Sequence, residues 1–300
     1  MPPSIKLSAP ATREFWEVPV LAEDESLMVV DKPGGLLVSP DRYDPERPNL
    51  MRLLHQDIAS HTGWVRERNL SYLSNAHRLD FETSGVLLLA KTKPALIHFA
   101  NLFGIEKPAK EYLALAQGCP RDDSFRVNAR IGPHPARPGW MRIDPRNGKR
   151  SLTDFEVLER FAGYSWIRCR PSTGRTHQIR VHLADFGFPI AGDTKYGGRP
   201  LLLSRLKKSY RLKPGQTERP LIGRVALHAA RLTIEHPVTG KLVTFEAPVP
   251  KDLRVALKYL RLYAPRPEYA AALPESESVM GEQADESKGH EEGSDEQETT

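Results

Sequence analysis

The densest run of reactive side chains is His77-Arg78-Leu79-Asp80-Phe81-Glu82-Thr83-Ser84-Gly85, and the apolar run Val86 to Ala90 follows it at once. Polar residues ending in Ser-Gly before a buried strand form a tight loop at the strand's edge. There a rigid scaffold can aim a carboxylate into a cleft. A plain surface turn with a solvated Asp80 fits the same residues. A second run, Ser172-Thr173-Gly174-Arg175-Thr176-His177-Gln178-Ile179-Arg180-Val181-His182, reads as a glycine turn opening a helix that runs to Gly187, with Pro189 beyond. Ile179, Leu183 and Phe186 make its apolar stripe, and a helix N-terminus beside Arg175 and Arg180 suits a phosphate or a carboxylate.

Other chemistries find no support. His177 and His182 lie five residues apart, which on a helix turning about 100° per residue points them roughly 140° away from each other. The i, i+4 histidine pair and the glutamate of a zinc helix are missing, so no metal site is expected. There is no GxxxxGK[ST] loop, no GxGxxG after a strand and no GxSxG elbow. Asp31-Lys32-Pro33-Gly34-Gly35 reads as a hairpin turn in preference to an anion cradle. The two cysteines, Cys119 and Cys169, form no CxxC pair, which argues against a disulfide framework and fits a reducing cytoplasm.

The elements that must hold these residues belong to a soluble protein. The 300 residues are 39% hydrophobic and 27% charged, and the longest aliphatic run, Val86 to Ala90, is far short of a bilayer span. No secretory leader is visible in the first eight residues. From Arg266 to Thr300 eleven acidic residues face two basic ones, a net of −9; against +5 for the whole chain, residues 1–265 carry +14. That basic body points to a polyanionic partner, with a solubilising surface charge as the alternative. The sequence divides into a loose arm over 1–16, one catalytic domain over 17–265 and an acidic, disordered tail over 266–300, whose composition cannot offset its ordering entropy.

Within the domain, Leu27 to Val30 is a strand that Pro33-Gly34-Gly35 breaks before Leu36-Leu37-Val38. Asn49 caps a helix with Leu50, Leu53 and Leu54 on one face, and Thr92 caps another that ends at Gly104. Lys110 to Gln117 alternates as a strand. Two more strands flank Ala162-Gly163, Leu232 to Glu246 is a hairpin broken at 237–240, and Asp252 to Leu262 is a final helix. Hairpins with interspersed helices imply an α+β fold.

The motif His77-Arg78-Leu79-Asp80-x-x-Thr83-Ser84-Gly85, followed by Ala90-Lys91, resembles the signature of the RluA-type pseudouridine synthases. Four further segments agree in order: Glu23-Asp24 leading into Val29-Val30-Asp31-Lys32-Pro33, Lys110-Glu111-Tyr112-Leu113-Ala114 with Gly118, Gly174 to His182, and Leu227-His228-Ala229 with His236-Pro237. The resemblance implies the pseudouridine synthase fold, a central mixed and largely antiparallel sheet with flanking helices and a basic RNA-binding cleft. It makes Asp80 the essential carboxylate, has Tyr112 stack on the target base and take part in proton removal, and pairs Arg180 with Asp80. Leu227 would shape the pocket, and Arg78 would hold the RNA open. Core packing is the other reading of Tyr112 and Leu227. Arg175, His177 and Gln178 are expected to make structural or phosphate contacts. Ser39 departs from the histidine of many relatives.

Many relatives carry an N-terminal S4 domain, whereas only about 17 residues precede the core here. Recognition of rRNA or tRNA is therefore expected to rest on the catalytic domain. Gly197 to Arg224, with Lys207, Lys208, Arg211 and Arg224 among its cations, is the candidate RNA-contacting insertion. The implied isomerisation breaks a glycosidic bond, turns the uracil and rejoins it through C5, so it needs no metal or cofactor. No membrane or obligate protein partner is indicated, and a monomer is expected. A non-catalytic RNA-binding or RNA-folding protein on the same fold is the alternative. A carboxylate hydrolase would need a second acid, for which Glu82 is the nearby candidate.

Overall fold

The computed structural model describes residues 3–42, 44–213 and 215–266. The expected disordered tail lies outside the described residues from 267 onward. The chain opens with a hairpin of β1 (Ser4–Ala9) and β2 (Glu14–Glu23), paired Ile5 to Val18 and Leu7 to Trp16. This corrects the expectation of a loose arm over 1–16. Ile5, Leu7 and Ala9 alternate with exposed Lys6 and Ser8, so one face of β1 is buried in the core.

Next come β3 (Leu27–Lys32), α1 (Leu50–Ala59), α2 (Gly63–Glu67), β4 (Ser74–Asn75), β5 (Ser84–Ala90) and α3 (Lys93–Gly104). Asn49 caps α1 by accepting the Arg52 N–H at 2.9 Å, and Thr92 caps α3 by accepting that of Ala95 at 3.2 Å. Leu36 and Val38 are buried, but Leu37 makes only an isolated bridge to Asn49 and not a strand. The second half contains β6 (Ala109–Gln117), β7 (Ser124–Pro133), β8 (Met141–Ile143), β9 (Lys149–Phe161), β10 (Tyr164–Pro171), α4 (Gln178–Asp185) and α5 (Leu203–Leu206). It closes with β11 (Leu227–Glu235), β12 (Leu242–Glu246) and α6 (Lys251–Tyr263), whose Leu253, Ala256, Leu257 and Leu260 are buried.

The strands form one mixed sheet in the order β1-β2-β3-β5-β11-β6-β10-β9-β7-β8, with β12 beside β11 and β4 beside β5. Among the described residues only β5 and β11 run parallel, Ser84 opposite His228 and Gly85 opposite Ala229. Gly85 has φ +114°, and a Cβ there would sit 2.1 Å from the Ala229 carbonyl oxygen, so only glycine lets the two strands meet. One face of β3 and β5 packs with α1 and the other with α3. Covered on both faces, β5 reads as an unbroken apolar run instead of an alternating one. A separate core joins β6, β9, β10 and β11 to α4 and α6, and Tyr112 packs at its border with the α1 core. Among the described residues no helix is long and apolar enough to cross a membrane.

Candidate active site

Asp80 lies on the loop between β4 and β5, and two cations, Lys32 buried and Arg224 largely so, hold that loop from behind. Lys32, fully buried, donates to the carbonyl oxygens of Pro33 at 2.8 Å, Leu36 at 2.7 Å and Phe81 at 3.3 Å. Burial and the nearby Arg224 guanidinium lower its pKa to about 7. Arg224 donates to the carbonyls of Glu82 at 2.9 Å and of Val225 and Leu227 at 3.1 Å, and is anchored by Asp252 at 2.8 Å. The Gly35 N–H adds a bond of 2.9 Å to the Phe81 carbonyl. A Cβ at Gly34 would lie 2.5 Å from Arg224 Cδ, so a bare backbone is required there. The segment read as a hairpin turn is therefore the brace of the Asp80 loop, and Arg224 is an internal clamp and not an RNA-facing cation.

Arg180 stands on the first turn of α4, almost fully buried, and reaches two carboxylates. Its Nε and Nη2 grip Asp193 at 2.7 and 2.8 Å, and its Nη1 donates to Asp80 Oδ2 at 3.2 Å. Burial disfavours the cation, but the bonds to Asp193 outweigh it and raise the pKa above the ordinary arginine value. The expected Asp80–Arg180 pair is present, though the two-pronged grip goes to Asp193, which sequence reasoning missed. Its signal was Ala191-Gly192-Asp193, a glycine turn beyond the motif.

Around this pair, His177 Nδ1 lies 2.7 Å from the Tyr196 hydroxyl, and Nε2 is 3.9 Å from Asp80 Oδ2. Burial lowers the His177 pKa to about 4, so the ring is neutral at pH 7 and no ion pair forms. Gln178 is a bolt: its Oε1 accepts from Thr173 and Arg175, and its Nε2 donates to Leu152 and Thr153 on β9. His182 is buried against Ser151 and Thr153, apart from His177. Among the described residues no three His, Cys, Asp or Glu side chains are grouped to hold a metal ion.

In front of Asp80 opens a cavity of about 420 Å³, walled by Leu79, Tyr112, Ile179 and Leu227, with Arg78, Lys110, Arg175 and His177 around it. Burial, with Asp80 and Cys169 close by, raises the Tyr112 pKa well above the ordinary phenol value. The hydroxyl stays protonated at neutral pH, which suits a stacking wall and opposes the proton-removing role. Arg175 is tied to Glu106 and to the Arg150 carbonyl. Glu82, the acid a hydrolase would need, accepts the Val225 N–H at 3.3 Å, and its pKa is raised by burial. A second chamber of about 600 Å³ shares Arg78, Asp80, Arg175, His177 and Arg180 with the first. Lys207, Lys208 and Arg211 line neither cavity; Lys207 lies over the Tyr263 ring of α6 at 5.4 Å.

A cavity with apolar walls at Tyr112, Ile179 and Leu227, with Asp80 inside it and Arg78, Lys110, Arg175 and Glu106 around it, fits an enzyme that works on a base displaced from a polyanion. Comparison with known proteins specifies the class. Residues 26–185 match the family described as RNA pseudouridylate synthase. The chain is 32% identical over 247 residues to the ribosomal large subunit pseudouridine synthase D of Haemophilus ducreyi, covering 81% of this chain and 70% of that one. The enzyme of the same name from Vibrio parahaemolyticus is 34% identical over 260 residues, covering 83% and 74%. Among solved structures, human RNA pseudouridylate synthase domain containing 1 superposes with a TM-score of 0.56 at 27% identity, over 77% of this chain and 83% of that one. The chain belongs to the RNA pseudouridylate synthase family, RluA type, and is an RNA pseudouridine synthase.

Proposed function

We propose that Asp80 is the carboxylate through which this synthase acts on its uridine, with Arg180 orienting it and Tyr112 and Leu227 holding the extruded uracil. The observation that carries the reading is the 3.2 Å Asp80–Arg180 bond at a cavity walled by Tyr112 and Leu227. In the reaction the N1–C1′ bond breaks, the uracil turns, and C5 bonds to C1′; C5 gives up its proton and N1 ends protonated. Asp80 supplies the one ionised group this needs at the ribose, as nucleophile or as base. Taking the uridine out of its stack costs a few kcal/mol, least in a loop. Arg78, exposed where the two chambers join, fills the gap left behind. Arg175 meets a phosphate once it leaves Glu106, and His177 contributes a neutral contact.

The substrate in this reading is large-subunit ribosomal RNA, which the names of the two bacterial relatives support. Lys207, Lys208 and Arg211 meet phosphates remote from the target nucleotide. The protein works as a monomer without a partner protein, because one chain supplies every residue invoked. The experiment is single-turnover conversion of deproteinised large-subunit RNA, with pseudouridines mapped afterwards. Wild type is expected to convert a defined uridine. Asp80→Asn is expected to bind equally and convert none, since an amide is neither nucleophile nor base. Substantial conversion by Asp80→Asn overturns the assignment.

A further inference from the structure

The second chamber shares Asp80 and its neighbours with the first, yet its own wall, from Leu37 to Arg42 with Arg47 and Phe81, has no role in the chemistry above, and it is the larger cavity of the two, about 600 against 420 Å³. Because the chambers meet at Asp80, the occupant of the second is a covalent neighbour of the uridine in the first. Its wall carries an unusual pair. The Phe81 side chain, next to Asp80, lines the chamber, and the Arg47 guanidinium lies 3.9 Å above the Phe81 ring. Among the described residues no carboxylate forms an ion pair with Arg47. Arg42, Arg78 and Lys195 lie around the same chamber, together with the carboxylates of Asp41, Asp80 and Glu82. A guanidinium backed by an aromatic ring is held flat, and its free face is a platform on which a nucleobase stacks. Cations interleaved with such a platform form the pattern that binds a single strand.

We propose that this chamber seats the nucleotide adjoining the target uridine, with that neighbour's base stacked on the Arg47–Phe81 pair and its phosphate among the surrounding cations. The inference rests on Asp80 marking the target site. The pair then sets a preference for sequence context: a purine, with its larger π-face, binds better than a pyrimidine, and an abasic ribose binds worst.

The test separates stacking from charge. The probe is a short fluorescent RNA with one central uridine, together with versions that lack the base at either neighbouring position. Wild type is expected to bind one abasic version about 5- to 100-fold more weakly than the intact RNA. In Arg47→Lys, which keeps the charge and loses the plane, that penalty should vanish while the salt dependence of binding stays the same. Phe81→Leu, which removes the backing of the guanidinium, should shrink the penalty too. Equal binding of intact and abasic RNA by wild type overturns the proposal, and so does an undiminished penalty in Arg47→Lys. Matching melting curves show that the variants are folded. Asp80→Asn should keep the wild-type penalty, so failure of the Asp80 assignment and failure of this one give different results.

Discussion

The cations behind the Asp80 loop and those of the 197–224 segment are the same residue types put to opposite uses. Lys32 is buried and Arg224 largely so; each donates to three backbone carbonyls, and Arg224 also pairs with Asp252. Lys208 and Arg211 are exposed, and among the described residues Arg211 bonds only the carbonyls of Lys208 and Tyr210 beside it. A buried cation that satisfies several carbonyls fixes a backbone, because removing it strands every acceptor it served. An exposed cation fixes nothing and remains available to phosphate. Net charge in a sequence therefore overstates the RNA-binding surface, and Arg224, the last residue of the expected insertion, belongs to the scaffold.

The largest effect should come from breaking the clamp. Arg224→Ala takes the arginine from Asp252 and from the carbonyls of Glu82, Val225 and Leu227, of which Val225 keeps the Leu227 N–H, and is expected to cost about 3 kcal/mol or more in chemical denaturation. A loss below about 1 kcal/mol would erase the distinction drawn here. Next is Asp193→Asn, which removes the anchor of Arg180 without changing size. Single-turnover conversion should fall about 100-fold, the usual cost of misplacing a catalytic group by an ångström, with RNA affinity nearly unchanged. Arg180→Lys should do at least as badly, because an ammonium cannot bridge Asp193 and Asp80 with a planar set of donors. Near-normal turnover in either variant would leave Arg180 without a positioning role.

A smaller effect follows from four histidines, His182 and His228 buried and His77 and His177 partly so. Burial lowers the pKa of His77 to about 3 and of His177, His182 and His228 to about 4, from an ordinary 6.5. The unfolded chain takes up these protons first, so stability is fully present above about pH 6.5 and is lost as pH falls toward 4. Denaturation midpoints at several pH values check this, and a flat profile over that window contradicts it. The smallest effect is expected from neutralising Lys207, Lys208 and Arg211 together. Stability should stay nearly unchanged, while the salt slope of RNA binding flattens by up to about 0.9 per lost duplex phosphate contact. An unflattened slope removes this segment from the RNA surface.

How legible was this in the sequence? Asp80 and Arg180 stood out in their own polar runs, whereas Tyr112 and Leu227 entered only through the family resemblance, because an aromatic or aliphatic residue in a strand reads locally as core packing. The capped helices and the final amphipathic helix were legible from local signals, since a cap and a 3.6-residue stripe lie within one element. The supports were not. Lys32 reaches Phe81 across 49 positions and Arg224 reaches Glu82 across 142, and no local pattern records such a pairing. Strand β7 carried a local signal as well, since Phe125, Val127, Ala129 and Ile131 alternate with the exposed Arg126, Asn128 and Arg130, but it was not among the strands expected. The proline-bearing start of the chain hid the alternation of Ile5, Leu7 and Ala9.

The single parallel pairing among the described strands also dictates an order of assembly. Gly85 opens β5 against Ala229, and the Glu82 carbonyl waits for Arg224, so the loop bearing Asp80 has both its edges completed by chain made some 140 residues later. A polypeptide still being synthesised can carry β3, α1 and β5 yet lack the walls that aim the carboxylate. If Asp80 acts as proposed, the enzyme acquires its reactive centre only when its last strands arrive, after the sheet that supports it has begun to form.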